Sequence, residues 1–306
     1  MPTKSVRYIV RGILPRGEVS ILSGASGAGK STIIAQLLAA IQAGEDTFFG
    51  HRINHPIRVG YIAADRTWES YEELAARARL DLSHIQIRSL VDDTSIDVDR
   101  LERDSMRLLY DLISSFDSPD LIVVDPMVVF LGVDPNKYNA VAPRLIKMGR
   151  WCKQDGFTIL ATHHATKART DYSFKRPQDR ISGSSALLGF TSSQLFLSAP
   201  DEIGKPYAEF TAVNHNDPPE NIRLERGENG LFVPYNEKQV NATLVSLVEQ
   251  AIETGGNVSR TWVQTNTAIE TVTLDNALDY LVACNRVKVN AKGEFRLNIR
   301  AEKPAN

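Results

Sequence analysis

The sequence predicts an α/β fold: a mostly parallel sheet covered by helices on both faces, followed by a smaller helical domain. Three observations carry this expectation. Apolar runs without alternation recur between amphipathic helical segments, as strands buried on both faces require. After residue 182 short strands separated by Gly, Pro and Asn turns take over, which suggests an antiparallel extension at the sheet edge. After residue 236 the pattern changes again, to helices and a terminal hairpin.

In chain order, residues 17–23 (GEVSILS) form the first apolar strand. Residues 32–43 form a helix, because Ile33, Ile34, Leu37, Leu38 and Ile41 recur at helical spacing. Residues 58–63 (RVGYIA) read as a strand, 69–80 as a charged amphipathic helix, and 84–89 (HIQIRS) as an alternating strand. A helix spans 98–115, with Leu101, Leu108, Leu109, Leu112 and Ile113 on its apolar side. Residues 121–124 (LIVV) form a fully apolar strand, 140–154 a helix and 157–162 another buried strand. Residues 195–197, 207–213, 222–225 and 231–233 are the short strands of the edge extension. Helices are then expected over 240–253, 259–266 and 274–284, and a hairpin around Ala291, Lys292 and Gly293. Three helices and a hairpin outline a winged helix. The expected domains are therefore 1–236 and 237–306.

Composition narrows the function classes. Of 306 residues, 42% are apolar and 24% charged, which excludes collagen-like and wholly disordered chains. A net charge of −2 excludes a strongly basic nucleic-acid coat but leaves room for a local basic patch. No apolar run is long enough to span a membrane, and the first sixteen residues lack the apolar stretch of a secretory signal. Cys152 and Cys284 have no metal or redox spacing, so a reducing cytoplasm is expected.

The chemistry starts at Gly24-Ala25-Ser26-Gly27-Ala28-Gly29-Lys30-Ser31, a full GxxxxGK[ST] sequence between a strand and a helix. Glycines let the backbone fold into a nest of N–H groups around phosphate oxygens, and the helix start, with Thr32, adds partial positive charge. Lys30 would reach the β- and γ-phosphates of ATP, and the Ser31 hydroxyl would ligate Mg²⁺. Asp125 ends the apolar strand LIVVD, where a carboxylate can hold the same ion. Hydrolysis also needs a group that orients water. Asp65, after YIAA, is the candidate; its other reading is a cap for the following helix, with Glu69 in reserve. His163 and His164 follow the strand that starts at 157. Alone they read as a solvated strand end. Residues 167–180 (KARTDYSFKRPQDR) hold five basic and two acidic residues, with Tyr172 and Phe174 among them. Lys167, Arg169, Lys175 and Arg176 could neutralise DNA phosphates while the aromatics stack on bases. A solvated loop is the other reading.

The segment 12–31 (GILPRGEVSILSGASGAGKS) resembles the start of a RecA-like P-loop ATPase core. The stretches YIAAD, LIVVDP, TILATHHATKA and GSSALLG resemble the plasmid and phage replicative helicases of the RepA type. The likeness covers roughly residues 8–235 and extends, less specifically, to KaiC- and RadA-like ATPases. It implies a hexameric ring, ATP hydrolysis at subunit interfaces and action on single-stranded DNA. Asp65 falls where that family usually carries Glu. His163 and His164 match its histidine pair, one of which would sense the γ-phosphate. The 167–180 loop would lie at the central channel. The family's cation ahead of an Asn-Gly turn is missing: this chain has Val213-Asn214-His215-Asn216-Asp217. Arg180 is the first substitute for the arginine acting in trans, with Arg223 and Arg226 behind it.

Three activities remain open on these readings: a DNA helicase, a regulatory or loading ATPase that assembles on ATP without unwinding, and a small-molecule kinase. Asp275 and Asp279 make the 274–284 helix acidic, so the C-terminal segment is expected to dock a protein partner or cap the ring, with weak DNA contact through the basic wing (Arg286, Lys288, Lys292 and Arg296) as the alternative.

Overall fold

The computed structural model describes residues 6–165, 181, 183, 185–200, 207–227, 229–235 and 242–269. Beyond these it describes 274–275, 277–278, 281–282, 286–290 and 292–298. The chain divides into two compact units. The first holds Met1–Glu202 and Ala208–Pro234; the second holds Ile203–Tyr207 and Tyr235–Asn306.

The first unit opens with two short strands, β1 (Tyr8–Val10) and β2 (Leu14–Pro15), paired antiparallel. Then come β3 (Val19–Gly24), α1 (Lys30–Gln42), and the small pair β4 (Thr47–Phe48) and β5 (His51–Arg52). Neither small pair leaves a signal in the sequence, because strands of two or three residues are too short to show alternation. Next are β6 (Val59–Ala63), α2 (Trp68–Ala78), β7 (Gln86–Ser89), α3 (Arg100–Ser114) and β8 (Leu121–Asp125). The unit closes with α4 (Val128–Leu131), α5 (Tyr138–Asp155), β9 (Thr158–His164), α6 (Ala186–Gly189), β10 (Ser193–Ser198), β11 (Ala208–Asn214), β12 (Glu220–Arg226) and β13 (Phe232–Pro234).

One nine-stranded sheet organises these elements, in the order β13-β12-β11-β10-β3-β9-β8-β6-β7. From β10 to β7 the strands run parallel; β11, β12 and β13 extend the other edge antiparallel. The sequence pattern puts β10 within the antiparallel extension. It pairs parallel to β3 instead, Leu195 opposite Leu22, because the chain crosses over through α6 before entering the sheet. The unbroken apolar strands follow from burial on both faces. Along β8, Leu121 and Val123 join a core with α1 and α2, while Ile122 and Val124 join a core with α3, α4 and α5.

Two further differences have local causes. The helix expected over 98–115 is two pieces, because Asp104 leaves helical geometry at φ −157° and ψ 66°. The strand expected to end at 162 runs on to His164, drawn along by its pairing with β3.

The second unit contains α7 (Ala242–Gly255), α8 (Arg260–Thr267), and the hairpin of β14 (Val287–Val289) and β15 (Phe295–Leu297). Leu274, Asp275, Ala277, Leu278, Leu281 and Val282 are helical. Val248, Ile252, Val263, Leu274, Leu281 and Val287 build its separate core. Ser259 caps α8 by accepting from the Trp262 amide, and Arg260 forks onto Asp275 at 2.5 and 2.6 Å.

Candidate nucleotide-binding site

A parallel sheet brings the carboxyl ends of its strands to one edge, and there the predicted residues gather. β3 ends at Gly24 and the chain turns through 25–29 directly into α1, two residues earlier than the sequence spacing suggests. The turn needs its glycines. Gly29 precedes α1 at φ +106°, and a Cβ there would lie 2.6 Å from Arg226 Nη2 and 2.7 Å from the Phe232 ring. A Cβ on Gly24 would lie 2.6 Å from the Leu197 carbonyl oxygen. Lys30 folds back over the loop, its Nζ donating to the carbonyls of Gly24 at 2.9 Å and Ala25 at 3.0 Å.

Asp125 ends β8 and is only 6% exposed. A buried carboxylate costs several kcal/mol unless it is paired. Among the described residues it has no ion-pair partner, and hydroxyls satisfy it instead. Ser31 Oγ donates to Oδ2 at 3.1 Å, Tyr61 to the same oxygen at 2.9 Å, and Thr162 Oγ1 to Oδ1. Burial and the neighbouring Asp125 raise the Tyr61 hydroxyl pKa well above its ordinary value, so Tyr61 stays a donor. A carboxylate and a serine hydroxyl 3.1 Å apart at the cleft form a hard, all-oxygen donor set, which suits Mg²⁺.

Asp65 lies just beyond β6, on the same cleft. It does not cap α2: Thr67 precedes that helix and no side chain caps it. The residue is exposed, yet its carboxyl pKa is raised, first by desolvation in the cleft and then by Asp125; Arg66 and His164 oppose the shift.

His163 and His164 do not form the solvated pair that the residues alone suggest. Consecutive strand residues face opposite ways, and His163 is 3% exposed whereas His164 is open to solvent. Both still border the cleft. Lys167, Arg169, Lys175, Arg176 and Arg180 lie outside the described residues.

Sequence reasoning missed four contributors. Tyr61 and Thr162 reach Asp125 from the two strands that flank β8, so only the strand order brings them together. Arg77 and Arg226 come from distant segments and only the fold brings them to the cleft. Arg226 rests against its own phosphate loop: Nη2 approaches the Ala28 carbonyl at 3.4 Å, Nη1 donates to Gly230 O at 2.8 Å, and the guanidinium lies 4.5 Å from the Phe232 ring centre. Burial and the nearby Arg77 lower its pKa. Within its own chain Arg226 therefore bears on the phosphate loop.

A phosphate nest at the end of a central parallel strand, beside a buried carboxylate on a neighbouring strand, defines a RecA-like P-loop ATPase fold. Residues 1–170 match the AAA_25 family, an AAA domain, and the chain belongs to that family. Among solved structures, the KaiC-like protein PH0186 from the hyperthermophilic archaeon Pyrococcus horikoshii OT3 is similar at 15% identity. The match covers 75% of this chain and 100% of that one, with a TM-score of 0.46. No curated protein matches the sequence.

Proposed function

We propose that the chain is an ATP-hydrolysing DNA motor of the RepA-like replicative helicase type, acting on single-stranded DNA as a hexameric ring. The observation that carries the nucleotide half is Asp125: a buried carboxylate held by three hydroxyls beside a phosphate nest. Ser31 and Asp125 would hold Mg²⁺, which neutralises phosphate charge when bound. Lys30 would exchange its two loop carbonyls for the β- and γ-phosphate oxygens, and residues 24–32 would supply backbone N–H groups to the same phosphates. Asp65 would orient the attacking water, with His164 coupled to it electrostatically. The DNA half rests on the resemblance and on Lys167, Arg169, Lys175 and Arg176. Residues 237–306, read as a winged-helix-like domain, would dock a protein partner.

A regulatory or loading ATPase is the second reading, and one observation favours it. The 214–217 turn holds no finger-like lysine or arginine. Asn214 Oδ1 accepts the amides of Asn216 and Asp217, both at 2.8 Å, and Asp217 accepts from the Tyr8 hydroxyl. That segment is a structural turn. Hydrolysis measured with and without single-stranded DNA, together with unwinding of a forked duplex, separates the readings. The motor predicts stimulation and unwinding. Equal turnover and an intact fork would leave only the switch.

A further inference from the structure

The amino-terminal end of the sheet carries a second polar cleft, on the side away from the nucleotide site. Arg7, Arg11, Arg16 and Arg52 line it with Asn54 and Asp120. Asp120 directly precedes β8, whereas Asp125 ends that strand, and a strand of that length sets the two ends roughly 17 Å apart. Asp120 already has its cations: it pairs with Arg16 at 2.8 Å and lies 3.8 Å from Arg58 Nε. Arg7, Arg11 and Arg52 are exposed, and among the described residues no hydrogen bond or ion pair reaches their guanidinium groups.

The backbone fixes where these arginines stand. The Arg16 amide donates to Arg7 O at 2.9 Å, and the Arg11 amide donates to Arg52 O at 2.9 Å. Arg7 and Arg16 thus neighbour each other at one end of β1, and Arg11 and Arg52 at the other. The chain from Arg7 to Arg11 covers roughly 13 Å when extended. Their backbone attachment points are thus spread along the cleft. A ligand that repeats its negative charge along its length can engage both ends.

We propose that this cleft binds the phosphodiester backbone of a single-stranded nucleic acid, as a phosphate surface separate from the ATP site. Only Val6, Tyr8 and Pro56 bring much apolar surface to the polar and cationic lining, and the Tyr8 hydroxyl is held by Asp217. Protein partners usually seat an apolar anchor, whereas nucleic-acid interfaces are more polar and far more positive. Arginine forks match phosphate oxygens two at a time. The choice of a nucleic acid also leans on the DNA-motor reading, so the test must tell the two apart.

The test is fluorescence anisotropy of the full chain with a labelled oligothymidine strand, across a series of salt concentrations. Three proteins are compared: the wild type, Arg7→Gln/Arg11→Gln/Arg52→Gln, and Arg7→Lys/Arg11→Lys/Arg52→Lys. The glutamine variant should bind at least about tenfold more weakly near 100 mM salt. Its log K against log salt should be shallower by roughly 2, since each phosphate left without its cation removes about 0.7 from the slope. The lysine variant keeps the charge and should keep the slope, which guards against a folding defect in the first. A glutamine variant with wild-type affinity and slope overturns the cleft and leaves the DNA-motor reading standing. A wild type that binds no strand overturns both. Displacement of the strand by poly-glutamate at equal charge concentration makes the cleft an acidic-protein surface and overturns the nucleic-acid assignment.

Discussion

The phosphate site depends on a few side chains whose removal has separable consequences. Lys30→Ala takes away the only cation that the loop itself carries, and ATP turnover should fall to background while circular dichroism stays unchanged. Asp65→Asn should lower kcat by about 10²- to 10⁴-fold with little change in KM, the usual size for a group that handles water in the transition state. Because desolvation and Asp125 raise the Asp65 carboxyl, the acid limb of the rate profile should be displaced upward from that of a free aspartate, and the asparagine variant should lose that limb. The sign for stability runs the other way. A carboxyl that binds its proton more tightly in the folded state makes folding less favourable as pH rises through its unfolded and then its folded pKa. At neutral pH Asp65→Asn should therefore melt slightly higher than wild type, which differential scanning calorimetry reads directly. Cys152 gives a contrast: burial pushes its thiol up to about 12, which marks a packing residue rather than a nucleophile.

Among the elements, the phosphate loop and the strands beside it are set by close backbone approaches. Gly29→Ala adds a methyl where Arg226 and Phe232 already stand, at a φ that L side chains avoid. Nucleotide binding should be lost, by titration with a fluorescent ATP analogue, with the fold retained. In β6, a Cβ at Gly60 would lie 2.5 Å from the Phe116 ring, in the core formed with α3. Gly60→Ala should cost about 1–3 kcal/mol in denaturant unfolding, the range for overpacking a filled core. The helices α1, α2 and α5 were legible within about two residues, because periodicity marks their buried faces. Three features were not. The break at Asp104 interrupts an apolar stripe that itself continues, β1 with β2 is too short to show a period, and the direction of β10 is set by its partner β3.

For the whole molecule, the described residues contain no helix long and apolar enough to cross a membrane. Each unit buries side chains of its own, which implies two cooperative structures. A chain ending at residue 236 should fold and bind an ATP analogue with near wild-type affinity. An insoluble or unfolded product would place essential core contacts in the 237–306 segment.

The residues themselves determined the glycine-rich loop, the carboxylate proposed to hold the metal and the parallel sheet, since each leaves a local mark: a glycine spacing, an acid closing an apolar run, a strand without alternation. The tertiary structure alone decided that Tyr61 and Thr162 satisfy Asp125, that Arg226 bears on its own loop, and that four arginines line one cleft at the amino-terminal end of the sheet. Those contacts join segments distant along the chain. Spacing cannot encode them, because they come from the register of strands and the meeting of loops, which burial of the shared core fixes.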